Sequence, residues 1–99
     1  MYARTGTFKL DPAKLDDAAS AFQSGQLTQY RQTTGYRGFT MLVNRTTGEA
    51  IGLSFWETED DLRGSEALAR AAREQVQRAG GGRAAPQPNE WEVAFEDSV

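Results

Sequence analysis

From Ala50 to Trp56 the chain alternates large and small side chains, with Ile51, Leu53 and Phe55 on one face and Ala50, Gly52, Ser54 and Trp56 on the other. A period of two with apolar groups on both sides predicts a strand buried on both faces. It runs straight into a helix. Thr58 is placed to cap that helix, and Asp61, three residues on, makes a variant of the capping box. The junction sets the Trp56 indole at the rim of whatever space the small residues leave open. Ligands sit at such rims, and a Trp in a strand also serves as ordinary core.

Tyr2 to Leu10 alternates as well and predicts a first strand. Asp11 as N-cap and Pro12 at the first helical position end it and begin a helix. Leu15, Ala18, Ala19 and Phe22 recur at helical spacing as one apolar stripe. Gly25 predicts a kink or an early end before Leu27 and Tyr30 resume the stripe, and Thr33-Thr34-Gly35 closes it. From Tyr36 to Arg45 the period of two returns, with Phe39, Met41 and Val43 on one face and Tyr36, Gly38, Thr40, Leu42 and Asn44 on the other. Thr46-Thr47-Gly48 reads as a three-residue hairpin loop with Gly48 in the left-handed position. That loop sets Arg45 opposite Glu49, Val43 opposite Ile51, Met41 opposite Leu53 and Phe39 opposite Phe55. One hairpin face then becomes a slab of large apolar groups. The other, with Gly38, Thr40, Asn44, Gly52 and Ser54 beside Trp56, is partly hollow and partly polar.

A second helix is expected from Glu59 to about Ala79, burying Leu62, Ser65, Ala69, Ala72 and Val76, until Gly80-Gly81-Gly82 stops it. Residues 80–89 read as a flexible loop without phosphate-loop spacing. Trp91, Val93 and Phe95 alternate with Glu90, Glu92, Ala94 and Glu96, which predicts a last strand with one apolar and one acidic face. The order β-α-β-β-α-β defines an α+β, ferredoxin-like single domain over residues 1–99, a four-stranded antiparallel sheet with two helices on one face. Two helices cover one side of the sheet, yet the hairpin is apolar on both. The uncovered slab predicts a homodimer packed sheet face against sheet face.

Composition narrows the chemistry. With 14 Asp and Glu against 11 Lys and Arg the net charge is −3, which gives no electrostatic footprint for nucleic acid. No apolar run approaches the roughly 20 residues that span a bilayer, and Met1 leads directly into a polar strand without a basic region and apolar signal core. No membrane association is expected, and a cytoplasmic location is. The sequence has no Cys and no His, which removes disulfides, thiolate nucleophiles, Ser-His-Asp and Cys-His catalysis and His-ligated haem. Asp16-Asp17 and Asp60-Asp61 each lie at a helix start, where acids favour the helix dipole, so no metal site is expected.

With that element order, the run Phe55-Trp56-Glu57-Thr58-Glu59-Asp60-Asp61-Leu62, the following Ser65-Glu66 and the Gly35-Tyr36-Arg37-Gly38-Phe39 approach to the second strand, the chain resembles the antibiotic biosynthesis monooxygenase family of dimeric α/β barrels. The resemblance covers nearly the whole domain. It implies a dimeric α/β barrel and a cofactor-independent monooxygenase-like activity on a small aromatic substrate of quinol or polyketide type. The family also holds haem-degrading enzymes and members with no known activity. Trp56 matches the Trp that lines the pocket between sheet and helices in several of the enzymes. The haem-degrading relatives carry a His on the helix after that Trp; the corresponding turn here is around Glu66-Ala67, so haem ligation by this route is ruled out and no cofactor is expected. Quinol-oxidising relatives often place an Asn four residues before the Trp, where this chain has Gly52. Asn44, on the same face in the expected register, is the candidate substitute, against a local role as a turn residue.

An enolisable aromatic compound ionised to a carbanion reacts directly with oxygen, so the protein needs an apolar cavity, a base and donors for a developing oxyanion. Trp56 and Asn44 are the candidate catalytic residues. Tyr36, Ser54, Arg37, Arg4, Phe22 and Leu62 are the candidate substrate-binding residues: Tyr36 to stack, Ser54 to donate, Arg4 or Arg37 to hold an anion, Phe22 and Leu62 to line the space beside Trp56. The missing His and Asn favour an alternative, a non-catalytic small-molecule binder or accessory dimer of the same fold.

Overall fold

The structure, a computed structural model, describes residues 1–98. Strand β1 (Tyr2–Lys9) leads through a turn of 3-10 helix (Pro12–Lys14) into α1 (Leu15–Gly25) and α2 (Leu27–Arg31). The hairpin β2 (Tyr36–Val43) and β3 (Glu49–Trp56) follows, then α3 (Glu59–Gly64), α4 (Glu66–Ala79) and β4 (Gln87–Glu92). The sheet order is β2-β3-β1-β4 with every neighbouring pair antiparallel, the ferredoxin-like arrangement.

The local signals act as the chemistry of caps requires. Asp11 accepts from the Ala13 N–H at 2.9 Å, and Thr58 Oγ1 accepts from the Asp61 N–H at 3.1 Å. Gly25 ends α1, and Tyr30 of α2 continues its stripe. The core lies between sheet and helices. Phe8, Ala50 and Trp56 meet Leu15, Ala18 and Phe22 of α1, Tyr30, Leu62, and Ala72 and Val76 of α4. No helix among the described residues is long and apolar enough to cross a membrane.

Three expectations are corrected. The second helix is broken at Ser65 into α3 and α4, where the Leu62 carbonyl accepts from the Ser65 N–H at 3.1 Å, Ser65 Oγ at 2.6 Å and Arg4 Nη2 at 2.6 Å. β4 begins at Gln87, inside the stretch expected as loop, and Phe95 lies beyond its end, 87% exposed. The third correction is the hairpin register. Asn44, not Arg45, pairs with Glu49, its N–H donating to the Glu49 carbonyl at 2.8 Å, so the loop has four residues, 45–48. Asn44 Oδ1 accepts from the N–H groups of Thr46 and Thr47 at 3.0 and 3.1 Å, an Asx turn that draws Asn44 into the closing pair.

The extra loop residue shifts the pairing by one: Val43 opposes Ala50, Met41 opposes Gly52 and Phe39 opposes Ser54. A slip of one residue sends every side chain of a strand to the other face. Phe39 and Met41 therefore leave the expected slab and lie over the small residues of β3 on the helix side. A Cβ on Gly52 would stand 3.1 Å from Phe39 Cζ, so the glycine is what lets that ring in. The outer face instead carries Ile51, Leu53 and Phe55, joined by Leu42 and by Trp91 of β4, which are 51% and 56% exposed. A bulge at Arg37 lets Tyr36 pair with Trp56 and Gly38 with Phe55, with Gly38 at φ +145°. The bulge turns Tyr36, rather than Arg37, against Trp56.

Candidate functional site

Between the sheet and α4 lies a cavity with about 40 Å3 open to water centres, where about 10–15 Å3 admits one water. Phe8, Phe22, Tyr30, Phe39 and Met41 give it an apolar wall, and Arg4, Ser54 and Arg73 stand among its other lining residues. Phe22 and Phe39 stack with centroids 4.0 Å apart and an interplanar angle of 20°. Together with Met41 they also line a groove along the outside, with Ala19, Gln23 and Leu27. Phe39 and Met41 are half-buried and line both the groove and the cavity.

The polar part centres on Arg4, which is 5% exposed. Its Nη1 donates to Glu66 and, at 3.4 Å, to Glu90; its Nη2 donates to the Leu62 carbonyl at 2.6 Å and to Ser65 Oγ at 3.3 Å. Arg73 Nη2 donates to the other Glu66 oxygen at 3.0 Å, so one carboxylate bridges the two guanidinium groups. Burial pushes the Glu66 carboxyl up, but the Arg73 hydrogen bond and the charges of Arg4, Arg73 and Arg70 outweigh it and hold the group below the usual carboxylate range. Burial pushes the Tyr30 phenol up to about 12 against the pull of Arg4 and Arg73, so at neutral pH it keeps its proton and is a donor. Ser54 Oγ accepts from Trp56 Nε1 at 2.9 Å, which leaves its own hydroxyl proton free to donate. The arrangement can hold an aromatic ring on the apolar wall and an oxygen acceptor on the other.

Of the residues singled out in the sequence, Arg4, Ser54 and Phe22 line the cavity. Trp56 does not. It is fully buried, its ring 6.1 Å from Tyr30 and 5.8 Å from Tyr36, and it braces the site through Ser54 and Tyr30. Tyr36 belongs to that same aromatic stack, and Leu62 is core whose carbonyl holds Arg4. Asn44 is committed to the hairpin turn and lines no part of the cavity. Arg37, on the bulge, is exposed and paired with Glu57. Arg73, Tyr30, Phe39 and Met41 were not among the candidates. Arg73 follows Ala69 by four and precedes Val76 by three, a spacing that sets it on the buried stripe of α4.

The fold is shared with solved structures. A monooxygenase of Streptomyces coelicolor, solved with nanaomycin D, aligns with a TM-score of 0.77 at 19% identity, over 98% of this chain and 92% of that one. A haem degrader of Mycobacterium tuberculosis, solved with two haems in its active site, aligns with a TM-score of 0.74 at 13% identity, over 99% and 100%. An antibiotic biosynthesis monooxygenase aligns with a TM-score of 0.70 at 11% identity, over 96% and 100%. The chain thus has the fold of the antibiotic biosynthesis monooxygenases. No family model matches the sequence. Two uncharacterised proteins of Mycobacterium tuberculosis are each 27% identical to it, over 96% and 95% of this chain. The chain spans about two fifths of the length of these curated relatives, 39% and 41%. The residues present do not fit a His-ligated haem: the sequence has no His, and Glu66, at the corresponding turn, is held by Arg4, Arg73 and Arg70.

Proposed function

We propose that the protein is a cofactor-independent monooxygenase for one small aromatic molecule of quinol or polyketide type, acting as a homodimer joined through its bare sheet faces. The observation that supports this most is the cavity itself, whose lining combines an apolar wall with the donors of Arg4, Arg73 and Ser54. An anthrone-type substrate loses a proton from its CH2 carbon to water, the carbanion adds dioxygen, the peroxide takes a proton back from water, and loss of water from the hydroperoxide leaves a carbonyl. The donors stabilise the enolate oxygen while charge develops on it.

One observation favours binding without turnover as a second reading. Gly52, where quinol-oxidising relatives often have Asn, offers no side-chain donor and is covered by Phe39, and Asn44 is committed to its turn. Oxygen uptake by the purified protein, metal-free and without flavin, across quinols and anthrone-type phenols separates the two. Ala69→Leu, which fills the cavity at a modest packing cost, is the control. The oxygenase reading expects uptake by the wild type and at least an about tenfold loss in the folded variant, since exclusion of the ring removes the oriented complex. Compounds that bind without uptake establish the second reading, and uptake unchanged by Ala69→Leu sets the chemistry outside the cavity.

A further inference from the structure

Two guanidinium groups border an apolar cavity and share one carboxylate. Arg4 and Arg73 both line the cavity, and both donate to Glu66. The charged groups facing this cluster are three arginines, Arg4, Arg70 and Arg73, against two carboxylates, Glu66 and Glu90. Arg70 is 67% exposed and the two carboxylates 39% and 51%, so the buried donors of the cluster are those of Arg4 and Arg73. The hydrogen-bond inventory leads to the same place. Arg4 Nε and Arg73 Nη1 are buried and have no acceptor, although every other nitrogen of Arg4 has one. Native structures seldom leave such donors unpaired.

We propose that Arg4 and Arg73 form an anion subsite for the cavity's ligand, which therefore carries one acidic oxygen group, a carboxylate or an ionised phenol or enol, attached to an aromatic ring. This rests on the aromatic-ligand reading above and specifies it. The ring lies against Phe22, Phe39 and Met41, and the anionic oxygen accepts from Arg4 Nε and Arg73 Nη1. Glu66 keeps its role, holding the two guanidinium groups in position. Tyr30, protonated at neutral pH, adds a neutral donor beside them.

Titration calorimetry with benzoate and benzamide tests this, because the two probes share ring and shape and differ in charge. The wild type should bind benzoate about tenfold more tightly or better, the scale of a charge-assisted hydrogen bond. Arg4 also holds the end of α3, so the informative substitution is Arg73→Gln, which should erase the preference by weakening benzoate about tenfold and benzamide far less. Ala69→Leu should abolish binding of both probes. Equal affinity for the two by the wild type, or a preference that survives Arg73→Gln, overturns the anion subsite and leaves the aromatic cavity standing, whereas benzoate binding that survives Ala69→Leu puts the ligand outside the cavity and overturns both. Failure of both probes to bind the wild type overturns the subsite and the aromatic cavity together.

Discussion

Ser54 shows how closely support and function are joined at single residues here. Its hydroxyl is the acceptor for the buried Trp56 indole, and the same side chain lines the cavity. Ser54→Ala removes the acceptor of the buried indole N–H, and stability should fall by about 1–3 kcal/mol. Urea unfolding followed by tryptophan fluorescence measures this, and an unchanged midpoint would show that another acceptor serves the indole. Arg4 and Ser54 were legible in the sequence because each lies on a strand whose alternation fixes its face. Arg73 was not, because a long cationic side chain on a helix is ordinarily solvated, and only its offset from Ala69 and Val76 marks it as inward. Trp56 suits either a cavity rim or ordinary core in the sequence, and the structure buries it fully. Composition cannot tell the two apart, since the outcome depends on whether Tyr30 and Tyr36 close over the ring.

At the scale of elements, the order, the caps and the helix stripes were legible since each is encoded within a few neighbouring residues. The register was not, because loops of three and four residues both end on a left-handed glycine and the sequence 44–49 suits either. What decides is a side chain: Asn44 satisfies two loop N–H groups only if it pairs with Glu49 itself. Gly48 completes the turn at φ +85°, and a Cβ there would stand 2.1 Å from the Leu10 carbonyl oxygen. Gly48→Ala must strain the backbone and break the bond from the Leu10 N–H to the Gly48 carbonyl, 2.9 Å long. The expected loss is about 2–3 kcal/mol in thermal or urea unfolding. A loss under about 0.5 kcal/mol, the size of an ordinary surface substitution, would mean the hairpin end relaxes freely. The break at Ser65 was hidden for a different reason: one partner that holds it, Arg4, lies 61 positions away in sequence.

For the whole molecule, the corrected register changes which groups form the face that the helices leave bare. Ile51, Leu53 and Phe55 stay there with Leu42 and Trp91, while Phe39 and Met41 go to the cavity. The face remains apolar, as the proposed homodimer requires. Leu53, opposite Thr5 on one side and Thr40 on the other, is at its centre. Leu53→Glu should convert a wild-type dimer into monomers in sedimentation velocity, because like charges meet across a two-fold axis. A variant that stays dimeric would put the interface elsewhere.

The turn at 45–48 touches neither the cavity nor the bare face, yet it decides the character of both. A strand has only two sides, so loop length acts as a binary switch. With four residues, β2 lends its aromatic ring and thioether to the interior. Remove one, and those groups go outside while Thr40 and Leu42 turn inward, so that one event at a solvent-facing corner would rewrite ligand preference and self-association together.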